Sequence, residues 1–441
     1  MGSAREAAML TLTACDKQGA WSEGHLKRIL KESALDRRDA ALATRLCFGM
    51  LQTRMALDWY LERRCTGGLK KLEPKLLSTL RLSLYQILYM DKIPPSAAVN
   101  EGVQLTKKHC RNPRAAGMVN GVLRGILRDM PLPPPQGKDE LETIALQTSH
   151  PRWLVEEFAQ VLGVDGVKAW AQADNCQPPT TAQVNTALCT IDQAVEELER
   201  DGVEVQRHPW LEGCLLLSGT GDMERLSAYQ KGYFYIQDAA ARLAVTAAKV
   251  QPGQRVLDCC AAPGGKSFAA GVDMNNQGEI ISCDIHPHKI KLLEAGASRL
   301  GLSILTAQLQ SAAQRREDWV ERFDTVLVDV PCSGLGIIRK KPDIRYKDPK
   351  PLDGLPQVQK GIVDNCAAYV RPGGVMIYAT CTLRDRENQD VVAWFLQQHP
   401  EFTLEAFDLP HFGRQEGMMT FWPHIHHTDG FFVARLRKKE G

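Results

Sequence analysis

Val256–Ser267 reads VLDCCAAPGGKS, an apolar strand that leads into a glycine turn and then into the helix start Phe268–Ala270. Glycines let the backbone approach a ligand closely, and the free N–H groups of a helix start favour negative or electron-rich groups. A strand, a glycine turn and a helix in this order are typical of a cofactor loop at the edge of an open α/β sheet. The segment therefore predicts a bound cofactor.

A nucleotide triphosphate is the first ligand to test, because Gly265–Ser267 imitates the end of a Walker A loop. The full pattern requires a glycine where this chain has Cys260, so the loop does not fit it. Glu279–Asp284 reads as a second strand that ends in a carboxylate, the acceptor that a ribose diol needs in a dinucleotide-type fold. The two segments together predict adenosine without a triphosphate.

Two cysteines follow further β-branched runs. Cys332 lies in Asp329–Gly334, with the sequence DVPCSG, and Cys381 lies in Tyr378–Thr382, with the sequence YATCT. Both thiols are expected at strand ends, on the edge of a parallel sheet where ligands bind. The alternative is a pair of buried structural cysteines, since cysteine is among the most buried residue types.

Taken together, these segments resemble the Sun/Fmu (RsmB) family of RNA (cytosine-5) methyltransferases, which use S-adenosylmethionine. The resemblance runs along nearly the whole chain, and its strongest elements occur in a fixed order. They are Cys260–Ser267, Asp329–Gly336 with Arg339–Ile344, Ala379–Cys381 and Pro423–Arg435.

The chemistry of that family requires a covalent intermediate. C5 of cytosine is a poor nucleophile, and a thiolate that adds at C6 makes C5 enamine-like until the methyl group is transferred. The resemblance implies that Cys381 is this nucleophile, that Cys332 assists release of the product and that Asp329 grips the cytosine edge. Lys266 would stabilise the loop or the base, and a purely structural lysine is the alternative.

The resemblance also implies a set of cofactor contacts. The loop under the methionine part of S-adenosylmethionine would be formed by Cys260, Ala261, Ala262, Pro263, Gly264, Gly265 and Lys266. Asp284 would take the ribose hydroxyls, and Asp329 would close the methionine side. Gln310 stands where the family has another acidic residue near the adenine, and its amide can still form hydrogen bonds.

Composition sets the compartment and the partners. The 441 residues contain no apolar run near the roughly 20 residues of a membrane span, and the N-terminus lacks a basic-then-apolar signal, so we expect a cytoplasmic protein without membrane contact. The 13 cysteines are odd in number and lack zinc-like pairs, which fits a reducing compartment. His424, His426 and His427 have no Cys or carboxylate partner at ligand spacing, so no metal is expected.

Charge and turn residues divide the chain into three predicted domains. Residues 1–135 have helical spacing and carry 22 Lys and Arg against 12 Asp and Glu, whereas the remainder carries 32 against 40. This basic all-α bundle resembles the NusB-type RNA-binding domain of the family. The proline-rich segment Pro131–Gly137 is a stiff linker. Residues 145–230 predict a small α+β adapter, and residues 231–441 a doubly wound, Rossmann-like α/β domain.

Basic side chains in several places are candidate RNA contacts, with plain surface charge as the alternative. Lys340, Lys341 and Arg345 follow the Pro-Cys loop and are candidates for phosphate contacts. The adapter has Gln183 where the family has an arginine, so one phosphate contact that the resemblance implies lacks its usual residue. In the bundle the candidates are Arg63, Arg64, Lys70, Lys71, Lys107, Lys108, Arg111 and Arg114.

The substrate expected from the resemblance is a cytosine of 16S ribosomal RNA, bound by a monomer. One rival is a DNA cytosine methyltransferase, in which Cys332 would attack, but the Ala-Thr-Cys element and the helical domain match the RNA enzymes, so no DNA is expected. A non-catalytic RNA-binding or antitermination factor would explain the bundle alone. The same chemistry on transfer RNA stays open.

Overall fold

The computed structural model describes residues 2–18, 21–33 and 35–440, which form two compact units. The first unit holds the described residues up to Gln177 together with Ile338–Lys347. The second holds Pro178–Ile337 and the described residues from Asp348 onward. The predicted adapter, residues 145–230, is thus divided between the two units at Gln177.

The first unit is all-helical. Its core contains Leu46, Leu80 and Leu123, which are wholly buried. Asp36 caps the longest helix by accepting a hydrogen bond from the Asp39 N–H at 2.8 Å. The helices are α1 (Ala4–Gln18), α2 (Ser22–Ser33), α3 (Arg37–Glu62), α4 (Pro74–Tyr89), α5 (Pro95–His109), α6 (Ala115–Arg128), α7 (Glu140–Thr148) and α8 (Arg152–Ala173).

Ile338–Lys347 belongs to this unit although it follows the Pro-Cys loop in sequence. Within it, the short 3₁₀ helix Pro342–Tyr346 buries Arg345 completely. The Arg345 guanidinium donates to the backbone carbonyls of Thr148 and Ser149, each at 3.3 Å, and to Asn175 Oδ1 at 2.9 Å. The prediction that Arg345 contacts a phosphate is therefore wrong, because the side chain is wholly buried and its Nη1 group is bonded to these three acceptors.

The second unit begins with a four-stranded antiparallel sheet in the order β2-β3-β1-β4. Helix α9 accompanies it and begins with a capping box between Thr190 and Gln193. Gln183 on β1 is buried and donates to the Gln237 carbonyl at 3.1 Å, so it is not an RNA contact. The elements are β1 (Thr180–Val184), α9 (Ile191–Arg200), β2 (Glu204–Arg207), β3 (Cys214–Ser218), α10 (Ser227–Gln230) and β4 (Phe234–Ile236).

The larger sheet follows the order β10-β14-β9-β8-β5-β6-β7, with β13 also paired to β14. Strands β5 to β9 are parallel to one another, and β14 runs antiparallel to β9. The elements from Ala239 onward are α11 (Ala239–Ala248), β5 (Arg255–Asp258), α12 (Gly265–Asp273), β6 (Glu279–Asp284), α13 (Pro287–Arg299), β7 (Leu305–Leu309), β8 (Phe323–Asp329), α14 (Leu355–Ala367), β9 (Val370–Thr380), α15 (Gln389–Gln398), β10 (Phe402–Leu404), β11 (Phe407–Leu409), β12 (Gly413–Gln415), β13 (Met418–Phe421), α16 (Pro423–His426) and β14 (Phe431–Lys438). Strands β11 and β12 form a separate two-stranded sheet.

Both faces of the central strands are buried, as the apolar runs in the sequence predict for a parallel sheet. Leu327 and Ile377 pack into one core cluster, whereas Val326, Val328 and Met376 pack into the cluster on the opposite face. The predicted fold class is confirmed, with helices first and a doubly wound sheet after the small α+β element. Over the described part of the chain, no helix is both long and apolar enough to cross a bilayer.

Candidate active site

The two cysteines of interest lie at the ends of neighbouring parallel strands. Asp329 at the end of β8 is paired in register with Ala379 near the end of β9, so the turns that follow both strands leave the sheet at the same edge. Cys332 and Cys381 occupy these turns, and their sulfur atoms are 3.2 Å apart. Both side chains are partly exposed and line a common cavity. The sequence prediction that the two thiols share one sheet edge is met by this geometry.

Close backbone packing fixes the two turns against each other. The Gly336 N–H donates to the Cys381 carbonyl at 2.9 Å, and the Gly430 N–H donates to the Gly336 carbonyl at 2.7 Å. A Cβ atom on Gly336 would lie 2.0 Å from the Gly430 carbonyl oxygen, a distance that backbone atoms cannot accommodate. Glycine is thus required at position 336 for the Cys332 turn to reach the Cys381 turn.

The two thiols differ in their electrostatic surroundings. The hydrogen bond with Cys381, burial, and the nearby carboxylates of Asp329 and Glu387 raise the pKa of Cys332 well above its ordinary value. Cys332 therefore stays protonated at neutral pH and can donate its hydrogen to the sulfur of Cys381. A hydrogen bond donated to a sulfur stabilises negative charge on that atom.

Lys266 brings a positive charge to the same edge. Its ammonium lies 2.5 Å from Asp329 Oδ2 and 5.1 Å from the centre of the Phe431 ring. Burial works to lower the pKa of Lys266, but the charge and hydrogen bond of Asp329 and the charge of Asp258 outweigh burial and raise that pKa above its ordinary value, so the ammonium stays charged. Asp329 is consequently held in place while part of its carboxylate still faces the cavity.

The glycine loop leaves β5 and enters α12 through a tight turn. Gly264 has a φ of 114°, and a Cβ atom there would lie 2.3 Å from the Phe268 ring, so both its conformation and its surroundings require glycine. The Ala261 N–H donates to the Cys283 carbonyl on β6 at 2.8 Å, which fixes the loop to the neighbouring strand. The peptide bond between Ala262 and Pro263 is cis.

A buried chain of hydroxyl groups supports this loop. The Ser282 hydroxyl donates to the Ser267 hydroxyl at 2.8 Å, and the Ser267 hydroxyl donates to Asp258 Oδ2 at 2.7 Å. Ser267 is therefore engaged with Asp258, unlike the serine of a Walker A loop, which faces a metal ion and phosphates. Burial raises the pKa of Asp258 to about 6.

Asp284 ends β6 at the rim of the same cavity. One carboxylate oxygen accepts the His286 N–H at 3.0 Å, and the other lies 3.2 Å from the ammonium of Lys289. The side chain is almost completely buried yet lines the cavity, as a carboxylate that receives ribose hydroxyls would have to do.

The cavity has a volume of about 540 Å³ and brings together six of the residues that the sequence singled out. The remaining loop residues, Ala261 and Pro263 to Lys266, lie in or directly after the turn and are not part of the cavity wall. Gln310 is not part of the wall either, because its amide donates to the carbonyls of Ser311 at 3.1 Å and Gln314 at 3.0 Å. The six lining residues are Cys260, Ala262, Asp284, Asp329, Cys332 and Cys381.

Sequence reasoning missed most of the apolar wall. Ile285 follows the end of β6, Ala312 follows the end of β7, and Val358 and Ile362 lie one turn apart on α14. The spacing of Val358 and Ile362 was the available signal for a helix face. Such a wall, in the same cavity as the carboxylate of Asp284, suits a flat, weakly polar ring such as adenine.

The bundle candidates for RNA contact are all exposed. Arg63 stacks on the Trp59 ring, with 3.2 Å between its guanidinium carbon and the ring centre, Arg64 pairs with Asp129, and Lys108 lies 2.9 Å from Glu6. Across residues 2–18, 21–33 and 35–440, no group of three His, Cys, Asp or Glu side chains is arranged to hold a metal ion.

Comparison with known families gives three matches in the order of the predicted domains. The model described as NusB family matches residues 2–128, the ferredoxin-like domain of RsmF/B-like methyltransferases matches residues 150–224, and the model described as 16S rRNA methyltransferase RsmB/F matches residues 245–437.

Individual relatives cover almost the full chain. The probable ribosomal RNA small subunit methyltransferase B of Bacillus subtilis is 36% identical over 99% of both chains. The protein of the same name from Synechocystis is 33% identical and is matched over 99% of this chain and 100% of its own length. Among solved structures, PH0851 superposes with a TM-score of 0.82 at 26% identity over 99% of each chain.

Proposed function

Because the chain belongs to the RsmB/F family of 16S rRNA methyltransferases, we propose that it transfers the methyl group of S-adenosylmethionine to C5 of a cytosine in 16S ribosomal RNA. The reaction passes through a covalent bond between Cys381 and C6 of that cytosine. The observation that carries this proposal is the 3.2 Å separation of two partly exposed thiols that line one cavity together with Asp329.

The division of labour between the cysteines follows from their surroundings. Cys332 donates to Cys381, and Lys266 places a positive charge nearby, so negative charge is stabilised on Cys381. The Cys381 thiolate adds to C6, and the electron pair released to C5 accepts the methyl group. Loss of the C5 proton and departure of the Cys381 thiolate restore the aromatic ring, and Cys332 assists this second half.

Asp329 orients the base. Its carboxylate is fixed by Lys266 at 2.5 Å and faces the cavity three residues before Cys332. In this position it accepts a hydrogen bond from the exocyclic amine of cytosine, which neither a uracil nor a misplaced base can donate. Lys266 thus acts through Asp329 and through the charge on Cys381.

The cavity supports S-adenosylmethionine as the methyl donor, which supplies an electrophilic methyl group. Asp284 would bind the ribose hydroxyls, the apolar side chains of Ile285, Ala312 and Val358 would contact the adenine, and the glycine loop would hold the methionine part. The target cytosine has to leave its base stack to reach Cys381, which costs least in an unpaired RNA loop.

The RNA itself is recruited by the basic helical bundle. The matched NusB family model and the exposed arginines and lysines of this unit support that role, because clustered positive charge attracts the phosphate backbone.

Trapping the covalent intermediate tests the proposal. Cys332→Ala should accumulate a protein–RNA species that survives denaturing gels, because its release is impaired. Cys381→Ala should abolish methylation and leave no such species, since the bond to C6 cannot form. The reverse pattern, with a complex in Cys381→Ala and none in Cys332→Ala, would assign the attack to Cys332 and overturn the proposal.

A further inference from the structure

Two adjacent buried residues, Glu387 and Asn388, lie beneath the cysteine turns and are absent from the cavity wall. Burying a carboxylate is costly unless it is paired and hydrogen-bonded, and a buried ion pair is often no more stabilising than apolar residues of similar volume. A fully buried Glu387 therefore calls for an explanation other than stability.

The side chain of Glu387 holds the Cys332 turn. Its Oε2 atom accepts the Ser333 N–H at 2.9 Å and the Gln359 amide at 3.0 Å. The same Gln359 amide donates to the Pro331 carbonyl at 3.0 Å. The residues immediately before and after Cys332 are thus both fixed by one carboxylate, directly or through Gln359.

Asn388 holds the Cys381 turn in the same manner. Its Oδ1 atom accepts the Thr380 hydroxyl at 2.6 Å, and its amide donates to the Thr382 carbonyl at 3.1 Å. These partners flank Cys381 on either side. In addition, the Tyr378 hydroxyl donates to the Glu387 carbonyl at 2.5 Å, so the backbone of the pair is tied to β9.

The two holding points are joined to each other by a peptide bond. A short hydrogen bond of 2.7 Å between the hydroxyls of Ser333 and Thr382 links the turns directly. Arg384 lies 3.6 Å from Glu387 Oε1 and offsets its charge. The dipeptide of Glu387 and Asn388 consequently holds the two turns, and with them the two sulfur atoms, at a fixed separation.

We infer that Glu387 and Asn388 are positioning residues that fix the distance between Cys332 and Cys381. The inference rests on the proposed function for its consequence, which is that Glu387 serves the step that needs Cys332 and Asn388 serves the step that needs Cys381. Neither side chain touches the base or the cofactor in this role.

The direct test measures the approach of the two sulfurs without RNA or cofactor. Diamide accepts two electrons and two protons from a pair of thiols, which become a disulfide, and peptide mapping by mass spectrometry reports the Cys332–Cys381 product. The variants are Glu387→Leu, which removes the acceptor, Glu387→Gln, which keeps one accepting oxygen, and Asn388→Asp, which loses the donor to Thr382. Asp390→Asn is the matched control, because it removes a nearby charge from an exposed side chain.

Disulfide formation should be at least about tenfold slower in Glu387→Leu and Asn388→Asp than in the unchanged protein, since small misplacements of paired groups have large kinetic effects. Glu387→Gln should be intermediate, and Asp390→Asn unchanged. In methylation assays kcat should fall in the same order while KM for S-adenosylmethionine stays within about threefold, because Asp284 and the glycine loop, which would bind the cofactor, lie on other elements.

Formation of the covalent adduct distinguishes the role of Glu387 from that of Asn388. With RNA present, Glu387→Gln should accumulate the covalent species, as Cys332→Ala does, and Asn388→Asp should form it more slowly. Equal disulfide rates in Glu387→Gln and the unchanged protein would overturn the inference. So would falls in disulfide rate and kcat that are fully explained by a lower melting temperature of the variants. Where Glu387→Leu fails to fold, Glu387→Gln decides. An unchanged protein that neither methylates RNA nor forms an adduct would refute the proposed function, whereas the disulfide rates would still decide the positioning role.

Discussion

The second unit contains two pairs of cysteines at nearly the same separation. The sulfurs of Cys332 and Cys381 are 3.2 Å apart, and those of Cys259 and Cys366 are 3.3 Å apart. The first pair is partly exposed on the cavity, whereas Cys366 is wholly buried and Cys259 is 4% exposed. Distance alone therefore does not distinguish a reactive pair from a structural one.

The difference lies in charge. Lys266 is close enough to Cys381 for their charges to interact, and the turns around Cys332 and Cys381 are held by a polar network. Around the other pair the hydrogen bond to Cys366, burial and neighbouring thiols raise the pKa of Cys259 well above its ordinary value. A thiol pair becomes reactive when an adjacent cation and an opening to solvent make the thiolate accessible.

Removing one member of each pair should give the largest contrast. Cys381→Ala should lower the rate of RNA methylation by roughly 10⁴-fold, as loss of a covalent nucleophile does. Cys366→Ala should leave the rate within about threefold and lower the free energy of unfolding by about 1 kcal/mol, because it removes only a small buried group. Methyl incorporation and urea denaturation measure both quantities, and similar rate losses in the two variants would break the distinction.

Lys266→Met should have the next largest effect. It leaves the Asp329 carboxylate, which is still open to the cavity, without its partner at 2.5 Å, so the free energy of unfolding should fall by about 1–3 kcal/mol. Methylation should fall by about a hundredfold, since a preorganised charge near the reacting atoms is lost. Adding Asp329→Asn should restore stability but not activity. Recovery of activity in the double variant would contradict the proposed catalytic roles of both Lys266 and Asp329.

Asp258, next to the buried pair, should make stability depend on pH. Burial raises its pKa to about 6, above the ordinary 3.8, so the folded protein binds this proton more tightly than the unfolded chain. The contribution of Asp258 to the free energy of unfolding is therefore at its maximum below about pH 4 and falls as the pH rises. Above about pH 6 it is lower by about 3 kcal/mol.

Asp258→Asn removes this dependence. The free energy of unfolding of the variant minus that of the unchanged protein should rise by about 3 kcal/mol between pH 4 and pH 7, because only the carboxyl titrates. Denaturant melts across that range provide the measurement. A difference that is constant with pH would place the titration of Asp258 outside the range.

The smallest effect is expected at the cavity rim. Asp284→Ala should weaken the binding of S-adenosylmethionine at least about tenfold, because charge-assisted hydrogen bonds to the ribose are lost. Bound cofactor should shield Cys332 and Cys381, but not the already buried Cys366, from iodoacetamide, and the variant should need correspondingly more cofactor for the same protection. Calorimetry gives the affinity directly, and an unchanged value would remove Asp284 from the cofactor site.

The sequence was sufficient to place the candidate site residues at one edge of the sheet, because each strand there has a local sequence signal. Apolar runs predict β5, β6, β8 and β9, and Asp284, Asp329 and both cysteines follow as strand-end residues. In contrast, β7 lies at the edge of the sheet and carries Thr306 and Gln308, so its burial is incomplete and no apolar run marks it. The wall near Ala312 was missed for the same reason.

Other features depend on contacts that no local pattern encodes. Glu387 lies in an exposed-looking charged run, Arg384–Asp390, yet folding buries it against Ser333, fifty-four residues earlier in the chain. Arg345 sits among basic residues after the Pro-Cys loop, which predicts a surface position, and is nevertheless buried by partners more than one hundred and sixty residues away. A charged residue in a sequence predicts a solvated side chain. This prediction fails when the folded chain supplies a hydrogen-bond partner from a distant position and buries the charged group against it.

The placement of Ile338–Lys347 bears on how this protein can be divided. Family models assign this stretch to the methyltransferase part, residues 245–437, but its side chains complete the helical unit. A fragment cut near Gln177 would carry the Arg345 guanidinium away from its acceptors on Thr148, Ser149 and Asn175. The helical unit therefore includes two segments that are distant in sequence, one that ends at Gln177 and one at Ile338–Lys347. Both segments have to be moved together when the unit is exchanged between relatives or reconstituted from separate polypeptides.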